Sequence, residues 1–196
     1  MTSSKTRNVP AIGVVVAVLC CTMQQAGAQA WFAGACPSPA PVAYNAALLT
    51  GTWYEVRRYD FALETLAKCV AWTFTETTTG TLTANTVITR LFGSKTMTST
   101  LTRVTGSTNA DFNFRITKLP GLLTGWFKTL NMKVLAVNAD YMILWSCSPA
   151  LLKNSQLLWV LTRSQAPPAT VITGALTTVA ALGLNTNSLI TVSPTC

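Results

Sequence analysis

Gly51-Thr52-Trp53-Tyr54-Glu55-Val56-Arg57-Arg58-Tyr59 is the stretch whose reading decides the fold. Gly51 has no side chain, so the backbone there can turn sharply and lie close against a bulky group. Trp53 opens a run rich in β-forming residues, and the two-residue period of a strand points it toward a core. The same period continues downstream. In Cys69-Val70-Ala71-Trp72-Thr73-Phe74-Thr75, residues Val70, Trp72 and Phe74 share one face, and Ala71, Thr73 and Thr75 the other. Residues 81–89 put Leu82, Ala84, Thr86 and Ile88 together, and residues 95–104 group Met97, Ser99 and Leu101. Phe112, Phe114 and Ile116 alternate with Asp111, Asn113 and Arg115. Residues 131–136 place Met132, Val134 and Ala136 on one side. Residues 141–147 are apolar on both faces, which calls for burial on both, and residues 157–163 complete eight strands. Turns recur every ten residues or so, the rhythm of an antiparallel all-β meander.

Outward from that meander the chain changes character. Residues 1–30 read as a signal peptide. Lys5 and Arg7 precede an apolar run too short for a comfortable membrane span, and small residues allow cleavage after Ala28 or Ala30. Residues 31–196 remain as a single domain. Cys36-Pro37-Ser38-Pro39-Ala40-Pro41 carries alternate prolines, which favour an extended arm over regular structure. At the other end, Pro167-Pro168 opens a helix on which Val171, Ile172, Ala175, Leu176, Val179 and Leu182 recur at helical spacing up to Gly183. A short final strand within residues 186–192 leads to Cys196.

Composition excludes several kinds of chemistry. The chain has no histidine, so no His-based triad or His-ligated metal is available. Setting aside Lys5 and Arg7 takes the net charge from +8 to +6. The basic residues are scattered along the sequence and form no run of the kind that marks a nucleic-acid patch, so no nucleic-acid partner is expected. Beyond the leader, Cys36, Cys69, Cys147 and Cys196 make an even number in an exported chain and imply two disulfides, with three pairings open on spacing alone. The six acids, Glu55, Asp60, Glu64, Glu76, Asp111 and Asp140, include no pair whose spacing implies acid–base work. No catalytic residue, metal or cofactor is expected.

The pattern resembles the lipocalins, and within them apolipoprotein D and the arthropod lipocalins related to it. The resemblance rests on Gly51-Thr52-Trp53-Tyr54-Glu55, Cys36-Pro37, Lys68-Cys69, Tyr141 through Ser146-Cys147, Trp159-Val160-Leu161-Thr162-Arg163, the prolines before the helix and the terminal Cys196. It implies an eight-stranded antiparallel up-and-down β-barrel with one C-terminal helix and a short last strand. Closure of such a sheet removes its exposed edges. The resemblance also implies the disulfides Cys36–Cys147 and Cys69–Cys196. It gives Arg163 a place across Trp53, beside Gly51, at the closed end of the barrel, where a guanidinium over an indole is worth ~0.5–2 kcal/mol. The family's second signature, Thr-Asp-Tyr, is degraded here. The register that keeps Tyr141 and Cys147 without a gap puts Ala136-Val137-Asn138 at that place, with Met132 inside and Lys133 outside.

What the resemblance implies for function is a secreted, extracellular carrier of a small hydrophobic molecule: a retinoid, sterol, fatty acid, bilin or carotenoid. The expected wall of its chamber is Val70, Trp72, Phe74, Leu82, Ala84, Met97, Leu101, Phe112, Phe114, Met132, Val134, Met142, Leu144, Leu157 and Trp159. A filled barrel would use the same residue types. In that alternative the protein acts by its surface. It is then a partner- or membrane-binding module that uses its apolar loop at residues 119–127, with Leu122, Leu123, Trp126 and Phe127 between Lys118 and Lys128; over a cavity the same loop serves as a lid, and otherwise as a contact with membrane or lipoprotein.

Overall fold

A computed structural model describes residues 30–118 and 129–196, so expectations for the leader and for residues 119–127 lie outside the described residues. Eight strands form the barrel: β2 Gly51–Arg58, β3 Cys69–Thr78, β4 Thr81–Arg90, β5 Gly93–Arg103, β6 Asp111–Lys118, β7 Leu130–Val137, β8 Tyr141–Pro149 and β9 Lys153–Thr162. Each pairs antiparallel with the next, and β9 returns to β2 through Tyr54↔Thr162 and Arg58↔Trp159, which closes the cylinder. Where alternation is strict the strands lie as expected. In β3, for example, Val70, Trp72 and Phe74 are buried toward the inside while Thr73 and Thr75 are exposed.

Two bulges redirect side chains. An extra residue in one strand of a pair bends it and changes which side chains face which way. In β2 the register against β9 shifts between Glu55 and Arg57. Val56 then joins the outer cluster under the helix, and Arg58 is buried toward the inside. In β7 the register against β8 shifts between Val134 and Ala136. Met132 and Val134 face inward as expected, but Ala136 does not share their face. It packs with Leu135 in the outer cluster, and Val137 turns back in.

The expected extended arm is more structured than its prolines suggest. It begins as a strand, β1 Ala30–Ala33, paired to β9 from Ala30↔Gln156 to Ala33↔Lys153. This covers the length of β9 that β2 does not reach, and so removes an open edge. The Cys36–Cys147 disulfide pins it. The arm ends in one helical turn, α1 Ala46–Leu49, capped by Asn45, whose side chain accepts from the Ala47 N–H. Between them Val42 and Tyr44 pack against the inner cluster, as does buried Leu49. The arm therefore runs beneath the barrel and forms its floor as well as passing over its outside.

The expected helix is α2 Ala169–Ala181, which buries Ala175 and Val179 against Ile143, Trp145, Leu158 and Val160 on the outer face of β8 and β9. This explains why residues 141–147 are apolar on both faces. Gly183, at φ +73°, ends the helix in the left-handed conformation that glycine adopts without steric cost. The final strand is β10 Ile190–Thr191, shorter than expected, paired to Arg57 and Arg58 of β2. Cys69–Cys196 ties down the tail.

Candidate binding site

The barrel has a closed base and an opposite mouth. At the base, Trp53 is fully buried and its Nε1–H donates to the Leu49 carbonyl at 2.9 Å. The Arg163 guanidinium carbon lies 3.6 Å from the centroid of the Trp53 ring. Its Nη2 donates to the Leu48 carbonyl at 2.8 Å and its Nη1 to the Thr52 carbonyl at 3.2 Å. One cation thus covers the indole face, satisfies the Leu48 carbonyl of α1 and reaches the Thr52 carbonyl of β2, while Trp53 takes the Leu49 carbonyl. Gly51 makes this possible: its φ is +94°, and a Cβ there would stand 2.8 Å from Arg163 Nη1. Gly51→Ala is therefore expected to destabilise the fold by about 1–3 kcal/mol, from the backbone conformation and from displacement of a guanidinium held at both ends. Urea unfolding of the variant measures it. A change within experimental error would mean that the contact is slack.

All fifteen expected wall residues belong to one inner cluster, none more than 3% exposed. Trp72 and Trp159 meet edge to face with ring centroids 5.7 Å apart, and Phe74 stacks on Trp72 at 5.7 Å. Leu122, Leu123, Trp126 and Phe127 fall outside the described residues.

The inner face also holds charge that the sequence reading missed. Glu55 and Glu64 are fully buried, and Arg58 is 3% exposed. Arg58 Nε lies 3.6 Å from Glu55 Oε2 and 3.4 Å from Glu64 Oε2. Trp72 Nε1–H donates to Glu55 Oε1 at 2.8 Å, and Trp159 Nε1–H donates to Glu64 Oε2 at 3.0 Å. Both indoles of the wall thereby reach the same ion cluster. Burial pushes the Glu64 carboxyl up to about 7, against the opposing pull of Arg58 and of the Trp159 donor. Burial, and then the charge of Glu64, raise Glu55 well above the carboxylate range. Two carboxyls beside one guanidinium are electrically balanced when they hold a single proton between them. Spacing along the chain gave no sign of this pair, which the fold brings together around Arg58. Glu55 was within reach of the pattern, because it stands two residues from Trp53 and shares its face. Glu64 arrives from a loop, for which strand periodicity gives no sign.

That loop occupies the mouth. Phe61 and Leu63 are buried in the inner cluster, and the 3-10 turn Ala62–Glu64 brings Glu64 in behind them. Phe61 meets Trp159 edge to face at 5.7 Å. Arg58 Nη2 donates to the Glu64 carbonyl at 2.8 Å, and Arg90 donates to the carbonyls of Leu63 and Thr65 at 2.6 and 3.1 Å. On the inner face of β4 and β5, the hydroxyls of Thr86 and Ser99 are fully buried and have no hydrogen-bond partner among the described residues.

Comparison with known proteins bears on this geometry. Residues 45–194 match the family model described as a lipocalin-like domain. No curated protein matches the chain by sequence. Insecticyanin from the tobacco hornworm Manduca sexta superposes with a TM-score of 0.68 at 16% identity, covering 85% of this chain and 93% of that one. Lobster apocrustacyanin A1 superposes with a TM-score of 0.65 at 12% identity, covering 81% and 91%. The siderocalin Ex-FABP does so with a TM-score of 0.55 at 12% identity, covering 76% and 95%. These likenesses are of fold, and they do not single out apolipoprotein D.

Proposed function

The chain belongs to the lipocalin family, and from that premise we propose that it is a secreted carrier which holds a small hydrophobic molecule inside its barrel. The observation that carries this reading is the pair of buried hydroxyls, Thr86 Oγ1 and Ser99 Oγ, which stand unpartnered among apolar side chains of β4 and β5. A core whose only task is to be filled gains nothing from them, since each unpaired buried hydroxyl costs about 1–3 kcal/mol. A guest that brings a hydroxyl, carbonyl or carboxyl to them removes that cost. The remaining wall of Trp, Phe, Met and Leu suits a flat or flexible apolar body, and methionine adapts to irregular shapes. Retinoids, sterols, fatty acids, bilins and carotenoids meet this description. One solved neighbour, the siderocalin Ex-FABP, is described as functioning through dual ligand specificities, and ligand binding is extended here to this chain. Secretion is supported by the leader-like sequence and by two disulfides, which persist in oxidising compartments. Cleavage after Ala28 leaves every residue of β1 in place.

The test is a fluorescence titration. Trp72 and Trp159 stand in the wall, so a retinoid or polyene fatty acid is expected to quench emission saturably at one equivalent. Thr86→Val with Ser99→Ala keeps the wall close to its shape and removes both hydroxyls. It is expected to weaken guests with a polar end group about tenfold and leave plain hydrocarbons unchanged. Absence of a saturable change across the five ligand classes would count decisively against a carrier.

A further inference from the structure

We propose that the mouth of the barrel is a docking surface for an anionic lipid bilayer. The antiparallel order places the connections from β2 to β3, β4 to β5 and β8 to β9 at that one end. Their tips present large apolar side chains to solvent: Leu66 is 84% exposed, Leu91 64%, Phe92 96%, Leu151 96% and Leu152 82%. Leu66 and the Leu91-Phe92 tip also line a shared cleft of about 440 Å³ between their loops. Soluble proteins scatter single apolar residues over their surfaces, whereas a group of this size at one end marks a contact site. Each tip extends past the last strand pair, so several can enter an interface together.

Charge selects the partner. Lys68, Lys95, Lys118 and Lys153 are exposed at strand ends on the same side, and Arg90 lies among them. Lys153 Nζ sits 4.3 Å from the centroid of the half-exposed Trp31 ring, an indole and a cation paired at the level of the rim. One half-exposed acid, Asp60, shares the mouth end and faces Arg58 at 3.7 Å, while half-buried Glu76 and Asp111 and exposed Asp140 belong to the hairpins and strand ends at the base. Apolar tips beside exposed lysines, with most of the exposed or half-buried acids at the far end, match the layering of acyl chains beneath anionic headgroups. A protein partner of equal area would need complementary pockets for five side chains on three separate tips, whereas fluid lipid needs none. Among the described residues no helix is long and apolar enough to cross a membrane. A mouth seated on lipid also opens onto the phase in which hydrophobic guests reside, but the docking itself requires no guest.

The experiment is vesicle flotation of the mature chain with phosphatidylcholine alone and with added phosphatidylserine. Binding is expected only with phosphatidylserine and is expected to fall steeply with salt. Leu91→Ser with Phe92→Ser changes two solvent-exposed side chains on one tip and is expected to weaken partition at least tenfold with an unchanged melting temperature. Lys95→Glu with Lys153→Glu is expected to do the same. A wild-type chain that stays in solution with both vesicle types overturns the proposal, as does full flotation of the serine variant. Equal binding to neutral lipid overturns its electrostatic half. A vesicle-independent dimer lost in the serine variant, without flotation, assigns the surface to a second copy and overturns it too. Ligand quenching without vesicles is expected to be the same in all these variants. A failure to dock is thereby distinguished from a failure to carry.

Discussion

Replacing Arg58 with methionine is expected to destabilise the fold by about 3–5 kcal/mol, the cost of breaking a buried ion cluster by removal of one member. The substitution keeps most of the side chain's volume and removes only the guanidinium. Glu55 and Glu64 then lose the cation 3.4–3.6 Å away, and the Glu64 carbonyl loses its 2.8 Å donor. Neither carboxyl can reach water, since both are fully buried. The two indole donors remain, so the carboxyls respond by taking up a second proton rather than by moving. The triple variant Arg58→Met, Glu55→Gln, Glu64→Gln separates loss of charge balance from loss of packing. Glutamine keeps an acceptor for each indole and needs no counter-ion. The triple variant is expected to recover most of the lost stability, because a buried ion pair exchanged as a whole is often neutral. Urea unfolding at constant slope measures both. If the single and triple variants unfold together, the cluster is not coupled as its geometry implies.

The expected cost shows how the barrel is organised. Its base is sealed by a cation stacked outside an indole, Arg163 on Trp53. Its mouth is held by a second cation, Arg58, enclosed by two carboxyls and reaching the mouth loop through a backbone carbonyl. Arg90 grips the same loop from β4. Both ends of the tube thus depend on guanidinium groups that bind loop or helix carbonyls, a use for which a planar, multi-donor head is suited and an ammonium is not.

The strands and their inner face were legible in the sequence because period two holds from Val70 to Phe74 in β3, Leu82 to Ile88 in β4, Met97 to Leu101 in β5 and Phe112 to Ile116 in β6. There every second residue from Val70 to Ile116 faces as alternation dictates. The disulfides and the Arg163–Trp53 contact came from family resemblance, since spacing alone left three pairings open. Misreadings gather where local pattern stops determining orientation. Bulges at Val56 and near Leu135 shift the period by one, so that Arg58 turns in and Ala136 turns out. The loop that carries Phe61, Leu63 and Glu64 into the mouth has no period to read. The proline-rich arm offered no sign of β1, because that strand is stabilised by the edge of β9, more than 120 residues away. The basic residues looked scattered in one dimension. Lys68, Arg90, Lys95, Lys118 and Lys153 meet at the mouth only because an up-and-down order brings alternate strand ends to one rim.

The stability of the folded chain is expected to fall as pH rises from about 4.5 to about 7, the reverse of the usual behaviour of a paired carboxylate. The Glu64 carboxyl is pushed up from 4.5 to about 7 by burial, and Glu55 is raised in the same direction. In that window the native state keeps a proton that the unfolded chain has released. The unfolded state binds fewer protons, so the slope of unfolding free energy against pH is negative. The contribution is fully present below the unfolded value near 4.5 and is lost as pH passes through the folded value. For Glu64 it amounts to something on the order of 3 kcal/mol, and both groups are wholly buried, so solvent screens little of it. The facing groups all lie within the cluster or just beyond it. Arg58 and Arg90 favour the charged form, as do the Trp72 and Trp159 donors, and burial outweighs them. At the base, Glu76 is held below the usual range by Tyr44 and the Gly80 N–H and acts in the opposite sense, but it is exposed and screened. Thermal unfolding between pH 5 and pH 8 is the measurement. The wild-type chain is expected to melt at higher temperature at pH 5, and Glu55→Gln with Glu64→Gln to remove most of that slope. A wild-type profile that rises with pH, or one that the double substitution leaves unchanged, would show that the carboxyls beneath the mouth are ionised in the folded state and that Arg58 does not share a single proton's worth of charge with them.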